Sequence, residues 1–441
     1  MHADHPTLRA IAERPRATPR AADRPLDAAT LRQLCLDAGA DDVGFVSIDD
    51  PAIAHARSDV ETLFPSVRTL VSLVFRILPP NIRAPARSVA NAEFHAVDDA
   101  VTDTSREIVR CLAERGVGAV HTTMGFPMEA DRFPGKIWLV SHKLVAEAAG
   151  LGRMGIHRNL IHPVFGNFVL LGTVLLDAEV TELGAPLDFN PCLECKLCVA
   201  ACPVGAIGAD GHFDVSACYT HNYREFMGGF QDFVETAVEA KTRYEHRARV
   251  APSESVSMWQ SLSFGANYKA AYCMAVCPAG EDVIQPFLDD RAAFKRDVLT
   301  PLVRKDEAVY VMPDSDAAEH LRKRFPHKRA RFVANTLRPT TIAGFLAGLP
   351  HTFQRHRAGD LDATFHFVFE GDEPRTATVV IRDRRIEVRD GLHGEAHLRV
   401  TADSAAWLRF LERRSRLVLL LLTARIRLRG RPKWLLAFGR C

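Results

Sequence analysis

The sequence predicts an α+β chain of several domains, and three observations lead there. Strand-like and helix-like segments alternate up to about residue 185. Seven of the ten cysteines fall between residues 192 and 277. From Thr340 the pattern changes to short strands whose apolar side chains alternate with polar ones. A length of 441 residues suggests about three domains. The boundaries fall as a tail over 1–26, a first α+β domain over 27–185, and a cysteine-bearing domain over 186–300. A strand–helix–strand connector over 301–345 and a small α+β domain over 346–441 complete the chain.

Taken in order, Asp27 is placed to cap a helix over LRQLCLDAG, and Gly39 to stop it. Val43 to Ile48 and Thr69 to Ile77 read as buried strands, and Val97 to Arg115 as a helix ending at Gly116. Gly118 to Thr122 is strand-like, Trp138 to Ala149 helical, and Phe168 to Leu176 an apolar strand. In the connector, Ala308 to Met312, Ser315 to Phe325 and Arg329 to Val333 form a strand, a helix and a strand. Near the end, Thr341 to Phe353 reads as a helix. Phe365, Phe367 and Phe369 mark a half-buried strand, followed by strands over Ala377 to Arg382, Arg385 to Arg389 and His397 to Thr401. The helical segment SAAWLRFLERR comes after them.

Composition sets limits. The chain is 47% hydrophobic and 25% charged, ordinary values for a folded protein. A net charge of +2 argues against nucleic acid as a general partner. The first 25 residues are rich in Pro, Arg and Ala and lack an apolar stretch, so they read as a loose tail without a secretory signal. Leu417 to Leu422 falls far short of the ~20 residues that cross a bilayer. A cytoplasmic protein is the expectation.

Cys192 to Pro203 reads CLECKLCVAACP, the spacing C-x2-C-x2-C-x3-C-P. That is the bacterial pattern for a [4Fe–4S] cluster: three thiolates on one tight loop grip one cubane, and the fourth points to a second cluster. Zinc sites more often use two separated C-x2-C pairs. Cys218, Cys273 and Cys277 follow, and their clustering in a long chain favours metal over a disulfide framework. Cys35 and Cys111 lie in helix-like segments and read as core.

Gly150, Gly152 and Gly155 spell G-x-G-x-x-G. The dinucleotide fingerprint requires a strand before it and a helix after it. Here a helical stretch precedes the glycines, so they read as a helix-terminating loop.

The longer string AGLGRMGIHRNLIHPVFGNFVLLGTVLLD, residues 149–177, resembles the corrinoid-binding core of epoxyqueuosine reductases and reductive dehalogenases. In that family the core runs directly into C-x2-C-x2-C-x3-C-P, and a lone cysteine and a closing C-P motif follow, as Cys218 and Cys273-Met-Ala-Val-Cys277-Pro278 do here. The resemblance covers about residues 27–290. It implies a nitroreductase-like domain holding cobalamin, with a ferredoxin-like domain of two iron–sulfur clusters beside it. It also implies cofactor contacts at Gly150, Leu151, Gly152, Gly155, His157, Asn159 and Gly166, and metal ligation by Cys192, Cys195, Cys198, Cys202, Cys218, Cys273 and Cys277.

Two departures stand out. Ala270 occupies the position where the family usually carries one more cysteine. If Cys192, Cys195, Cys198 and Cys277 hold one cluster, the other has only three thiolates, from Cys202, Cys218 and Cys273. It is then a [3Fe–4S] cluster, or a [4Fe–4S] cluster with a different fourth ligand, for which His221 is the nearest candidate. The position of the family's catalytic aspartate falls on Lys136, with Asp131 near but out of register. Reduction at carbon needs a proton donor, and Lys136, Asp131 and His142 are the candidates.

The C-terminal segment, with TFHFVFEGDEPRTATVVIRD and LRVTADSAAWLRFL, resembles the sterol-carrier-protein-2 family over about residues 346–441. That resemblance implies a lipid tunnel, for which Phe365, Phe367, Phe369, Trp407, Phe410 and Leu411 are candidate lining; an ordinary core is the competing reading. Residues 321–357 carry nine Lys or Arg and no Asp or Glu, which reads as a solvated basic face or a peripheral membrane contact. The expected function is a cobalamin-dependent iron–sulfur reductase acting on a hydrophobic or lipid-like substrate, with a ferredoxin or flavodoxin as electron donor. The alternative is a non-catalytic iron–sulfur electron-transfer protein with a lipid-binding domain.

Overall fold

A computed structural model of the chain describes residues 5–13, 24–122, 124–125, 140–334 and 338–441. Its architecture is mixed α+β. The first domain contains β1 (Asp42–Ser47), β2 (Thr69–Arg76), β3 (Ala119–His121), β4 (Arg153–Met154), β5 (Leu160–Ile161) and β6 (Val169–Leu176). Four of these form one sheet in the order β1-β2-β6-β3, and every neighbouring pair is antiparallel.

The central strands β2 and β6 are apolar along nearly their whole length because both sheet faces are covered. Helices Ala28–Ala38 and Arg87–Glu114 pack Leu31, Cys35, Ile108 and Leu112 on one face. Helix His142–Ala148 packs Val145 and Ala146 on the other. Asp27 caps the first helix by accepting the Thr30 N–H, and Gly39 closes it at φ 121°. The long helix begins ten residues before the expected Val97, since Ala90 and Phe94 already turn toward the core. Residues 138 and 139 of the expected helix at 138–149 lie outside the described residues.

The cysteine-bearing region consists of short helices, among them Leu197–Ala201, Val215–His221 and Tyr272–Ala275. The 54 residues between Cys218 and Cys273 include helices Gly229–Glu239, Arg243–Arg249 and Pro252–Phe264. Buried Arg224 fastens this insertion, bonding Asp232 and Glu254 at 2.9 Å each.

In the connector, β7 (Ala308–Val311) and β8 (Arg329–Phe332) pair in parallel around helix Asp316–Arg324. Val309, Val311, Leu321 and Phe325 share one core with Leu197, Ala201, Tyr272 and Val276, and with Ile82 and Phe168 of the first domain. The cysteine loops are thus wedged between connector and first domain.

The C-terminal sheet contains β9 (Ala363–Glu370), β10 (Arg375–Arg382), β11 (Arg385–Asp390), β12 (Leu398–Asp403) and β13 (Ile426–Gly430), in the order β11-β10-β9-β12-β13. Only β12 and β9 pair in parallel. Phe365, Phe367 and Phe369 all point into the core, where Phe345 and Trp407 meet Phe367 and Phe369 with ring centroids 5.8–6.1 Å apart and Phe438 meets Phe365 at 5.1 Å. Phe410 and Leu411 pack against the same core. The packing favours the reading of these side chains as core over tunnel lining.

The basic run at 321–357 is not simply a solvated face. Lys323, Lys328, Arg329, Arg331, Arg338 and Arg355 pair with Glu319, Glu307, Asp306, Glu254, Glu235 and Asp210. Four of those carboxylates lie before residue 307, so the run largely serves to fasten the connector to its neighbours. Among the described residues no helix is long and apolar enough to cross a membrane.

Candidate metal centre

The spacing of CLECKLC lets a loop fold back on itself only if some residues leave the ordinary backbone regions. Glu194 and Lys196 do so, at φ 48° and 61°. The turn brings Cys192, Cys195 and Cys198 around one recess. Cys277, far along the chain, enters the same recess from the other side, with Ile156 and His157 completing its wall.

Cys202 leaves this group at the end of helix Leu197–Ala201. Its Sγ accepts the Ala206 N–H at 3.3 Å, and its charge acts on Cys218 and Cys273. The recess thus gathers a set of four cysteines, and Cys202, Cys218 and Cys273 form a second set of three, with the charge of Cys273 also acting on Cys198 and Cys277 of the first. Ala270, where a further thiol was absent from the motif, is buried and gives its N–H to the Asn222 side chain.

Burial, reinforced by neighbouring sulfurs, pushes the thiols up: Cys277 to about 12, Cys273 to about 11, and Cys198 and Cys218 upward as well. Thiols raised in this way ionise near neutral pH only where positive charge compensates them, as a bound metal does. A single-ion site draws its ligands to within about 2.3 Å of one point. Among the described residues no three His, Cys, Asp or Glu side chains form such a group. Cys192, Cys195, Cys198 and Cys277 surround one recess.

The loop of the glycine motif lies against these thiols. Gly150 has φ +80°, and a Cβ there would meet the Ala185 carbonyl oxygen at 2.6 Å; at Gly152 it would meet that of Ile161 at 2.5 Å. At Gly155 the nearest atoms are Ile161 Cδ1 and the His157 ring. Each glycine is thus required by a close approach within the chain itself. Leu151 is buried in the core beneath the sheet. Helix His142–Ala148 runs directly into the glycines and the short strands β4 and β5 come next, as the helix-terminating reading expects.

His157 is buried and pressed down to about 4 by desolvation, with the Lys143 charge adding to it. Its Nδ1 accepts the Asn159 N–H at 3.1 Å, so a neutral ring carries its proton on Nε2. Asn167 lies 3.1 Å from Nε2, and its Oδ1 is otherwise without a partner among the described residues. Turning that amide over lets Oδ1 accept the Nε2 proton. Asn159 Nδ2 approaches Cys273 Sγ at 3.9 Å, and Gly166 abuts Ala279, two residues after Cys277.

Of the proton-donor candidates, Lys136 and Asp131 lie outside the described residues. His142 is buried at the sheet face, with Nδ1 2.8 Å from Thr173 Oγ1. His221, the candidate fourth ligand, is buried with Nδ1 accepting the Tyr310 N–H at 3.3 Å. Burial, with Lys269, Lys328, Arg224 and Lys305 around it, presses it to about 3, and its buried Nε2 has no hydrogen-bond partner among the described residues.

Three half-buried cations escaped the sequence reading. Arg83 donates from Nε to the Ala275 carbonyl at 3.2 Å, inside the Cys273–Cys277 loop. Arg87 stacks over Tyr272 at 5.3 Å. Lys143 Nζ bonds the Arg158 carbonyl and Asn159 Oδ1. Cys277 acts on the first, Cys273 on the second, and Cys273 with Cys218 on the third. Nothing in a single sequence separates such cations from surface ones, although Lys143 stands beside the flagged His142.

No family model matches the chain. It is similar to curated epoxyqueuosine reductases: 28% identical over 172 residues to that of Cyclobacterium marinum, covering 37% of this chain and 51% of that protein. To that of Pseudomonas aeruginosa it is 26% identical over 194 residues, covering 42% and 52%. The chain spans about half the length of these relatives. Among solved structures, a catabolic reductive dehalogenase aligns with TM-score 0.39 and 16% identity, over 64% of this chain and 36% of the other. An epoxyqueuosine reductase solved with a tRNA-Tyr epoxyqueuosine-modified stem loop aligns with TM-score 0.33 and 15% identity, over 74% and 81%. This corrects one expectation about partners. A member of the reductase group that the chain resembles binds nucleic acid, so the exclusion of nucleic acid from net charge does not hold. Net charge is a sum over the whole surface and cannot exclude a local basic contact.

Proposed function

We propose that the chain is an iron–sulfur reductase whose first domain holds a corrinoid. The observation that carries this reading is the convergence of Cys192, Cys195, Cys198 and Cys277 on one recess, with Cys202, Cys218 and Cys273 grouped beside it. Similarity to epoxyqueuosine reductases supports reductive chemistry. When bound, the clusters supply single-electron transfer and the corrinoid a low-valent metal centre.

The chain's own residues hold and shield that chemistry. The set of four grips one cubane, and the set of three grips a second cluster, a [3Fe–4S] centre or a [4Fe–4S] centre with one non-sulfur ligand. Arg83, Arg87 and Lys143 offset the negative charge of bound thiolates. Ile156 and His157 close the recess on the side of the glycine loop. A hydrophobic substrate remains part of the proposal only through the C-terminal domain, whose large apolar side chains are packed on one another.

Iron, sulfide and cobalt analysis of anaerobically prepared protein, with EPR, tests the reading. About eight irons mean two cubanes and about seven mean one cubane with a [3Fe–4S] cluster. Stoichiometric cobalt supports the corrinoid; stoichiometric zinc without iron rejects the whole proposal.

A further inference from the structure

Lys143, Asn159 and Cys273 form a line of hydrogen bonds with one consistent direction. A lysine ammonium has donors only. Lys143 Nζ lies 3.2 Å from Asn159 Oδ1 and 2.9 Å from the Arg158 carbonyl oxygen, so both neighbours accept from it. The Asn159 amide therefore has its oxygen committed to lysine and its nitrogen turned to Cys273 Sγ, 3.9 Å away. The backbone N–H of Asn159 is tied in turn to His157 Nδ1. Held at both ends, the side chain is a fixed N–H donor to sulfur.

Cys273 belongs to the set of three thiols. Cys202 of the same set accepts the Ala206 N–H. Hydrogen bonds to ligand sulfur favour the more negative, reduced state of an iron–sulfur cluster and so raise its potential. We infer that Asn159, oriented by Lys143, raises the reduction potential of the cluster held by Cys202, Cys218 and Cys273, and leaves the Cys192 cluster unaffected. Asn159 is then a tuning residue and Lys143 a positioning residue. The inference rests on the iron–sulfur reading above.

The test is an EPR-monitored redox titration of the full, anaerobically loaded chain, with the two signals assigned from a Cys218→Ala sample. Asn159→Leu is expected to lower the midpoint of the three-thiol cluster by a shift equivalent to about tenfold in the reduction equilibrium, or 59 mV for a one-electron couple. Lys143→Met is expected to lower it in the same direction, because the amide is free to turn. Lys143→Arg, still a donor, is expected to restore most of the shift. The Cys192 midpoint serves as the internal reference. Loaded variants with unchanged midpoints, or with both midpoints moved equally, overturn the inference. Should Asn159→Leu fail to load, Asn159→Ala decides, since Lys143 and its charge stay in place while the N–H donor is removed; an unchanged three-thiol midpoint in it overturns the inference. Wild-type chain without iron overturns the underlying reading, and is seen before any variant is made.

Discussion

Gly166 and Ala279 meet backbone to backbone: a Cβ on Gly166 would stand 2.0 Å from the Ala279 carbonyl oxygen. Around this contact the Glu281 and Asp282 N–H groups bond the carbonyls of Pro163 and Val164 at 2.9 and 3.0 Å. The turn leading into β6 is thereby sewn to the segment just beyond Cys277. Gly166→Ala is expected to destabilise the chain by more than the roughly 1–2 kcal/mol that a left-handed non-glycine residue costs, since it also parts the two backbones. Gly211→Ala is the control, with φ +83° and nothing within 4 Å of a Cβ. Thermal unfolding of both variants checks this; equal losses would show that the contact contributes nothing.

The division of the cysteines makes a second prediction. Cys277→Ala is expected to remove the iron and the EPR signal of the Cys192 set while sparing the other, and Cys218→Ala to do the reverse. Iron analysis with EPR on each variant is the measurement. Joint loss in both variants would show a single shared centre.

Arg224 supplies a third. It is buried between Asp232 and Glu254, and stacks over Tyr310 at 4.4 Å. Arg224→Met leaves two buried carboxylates with less compensation, though Arg331 still reaches Glu254. Removing one partner of such a group costs about 3–5 kcal/mol. Equilibrium urea unfolding is expected to show a midpoint shift of that order.

His157 gives a pH dependence. Folding presses its pKa from the usual 6.5 to about 4, so the unfolded chain binds the proton more tightly. Its contribution is complete above about pH 6.5 and declines as pH falls toward about 4, by about 3 kcal/mol in all. Urea unfolding of the metal-free chain at several pH values is expected to show this decline, and His157→Gln to reduce it, the part due to His221 remaining. A wild-type chain equally stable at pH 5 and pH 7 would contradict the assignment.

The elements that announced themselves were those with local signals. Asp27 and Gly39 marked one helix by cap chemistry, and Phe365, Phe367 and Phe369 marked a strand by alternation; the structure has both. The start of helix Arg87–Glu114 was hidden because its first turns bury only Ala90 and Phe94. The cysteine spacing indicated the first loop, but the meeting of Cys277 with Cys192 depends on how distant segments pack. The cations were misread for the same reason. A run of Lys and Arg at 321–357 looks unpaired in sequence, since its partners Asp210, Glu235, Glu254 and Glu307 lie outside the run. Net charge misled most about partners, as it averages away any local surface.

Both thiol sets straddle the same 54-residue insertion, because each takes a member from Cys273 or Cys277. During synthesis neither centre can be completed before the ribosome has delivered that last segment. If the two sets hold clusters as proposed, loading waits for residue 277, and a chain truncated ahead of Tyr272 would carry a half-built receptacle at both places.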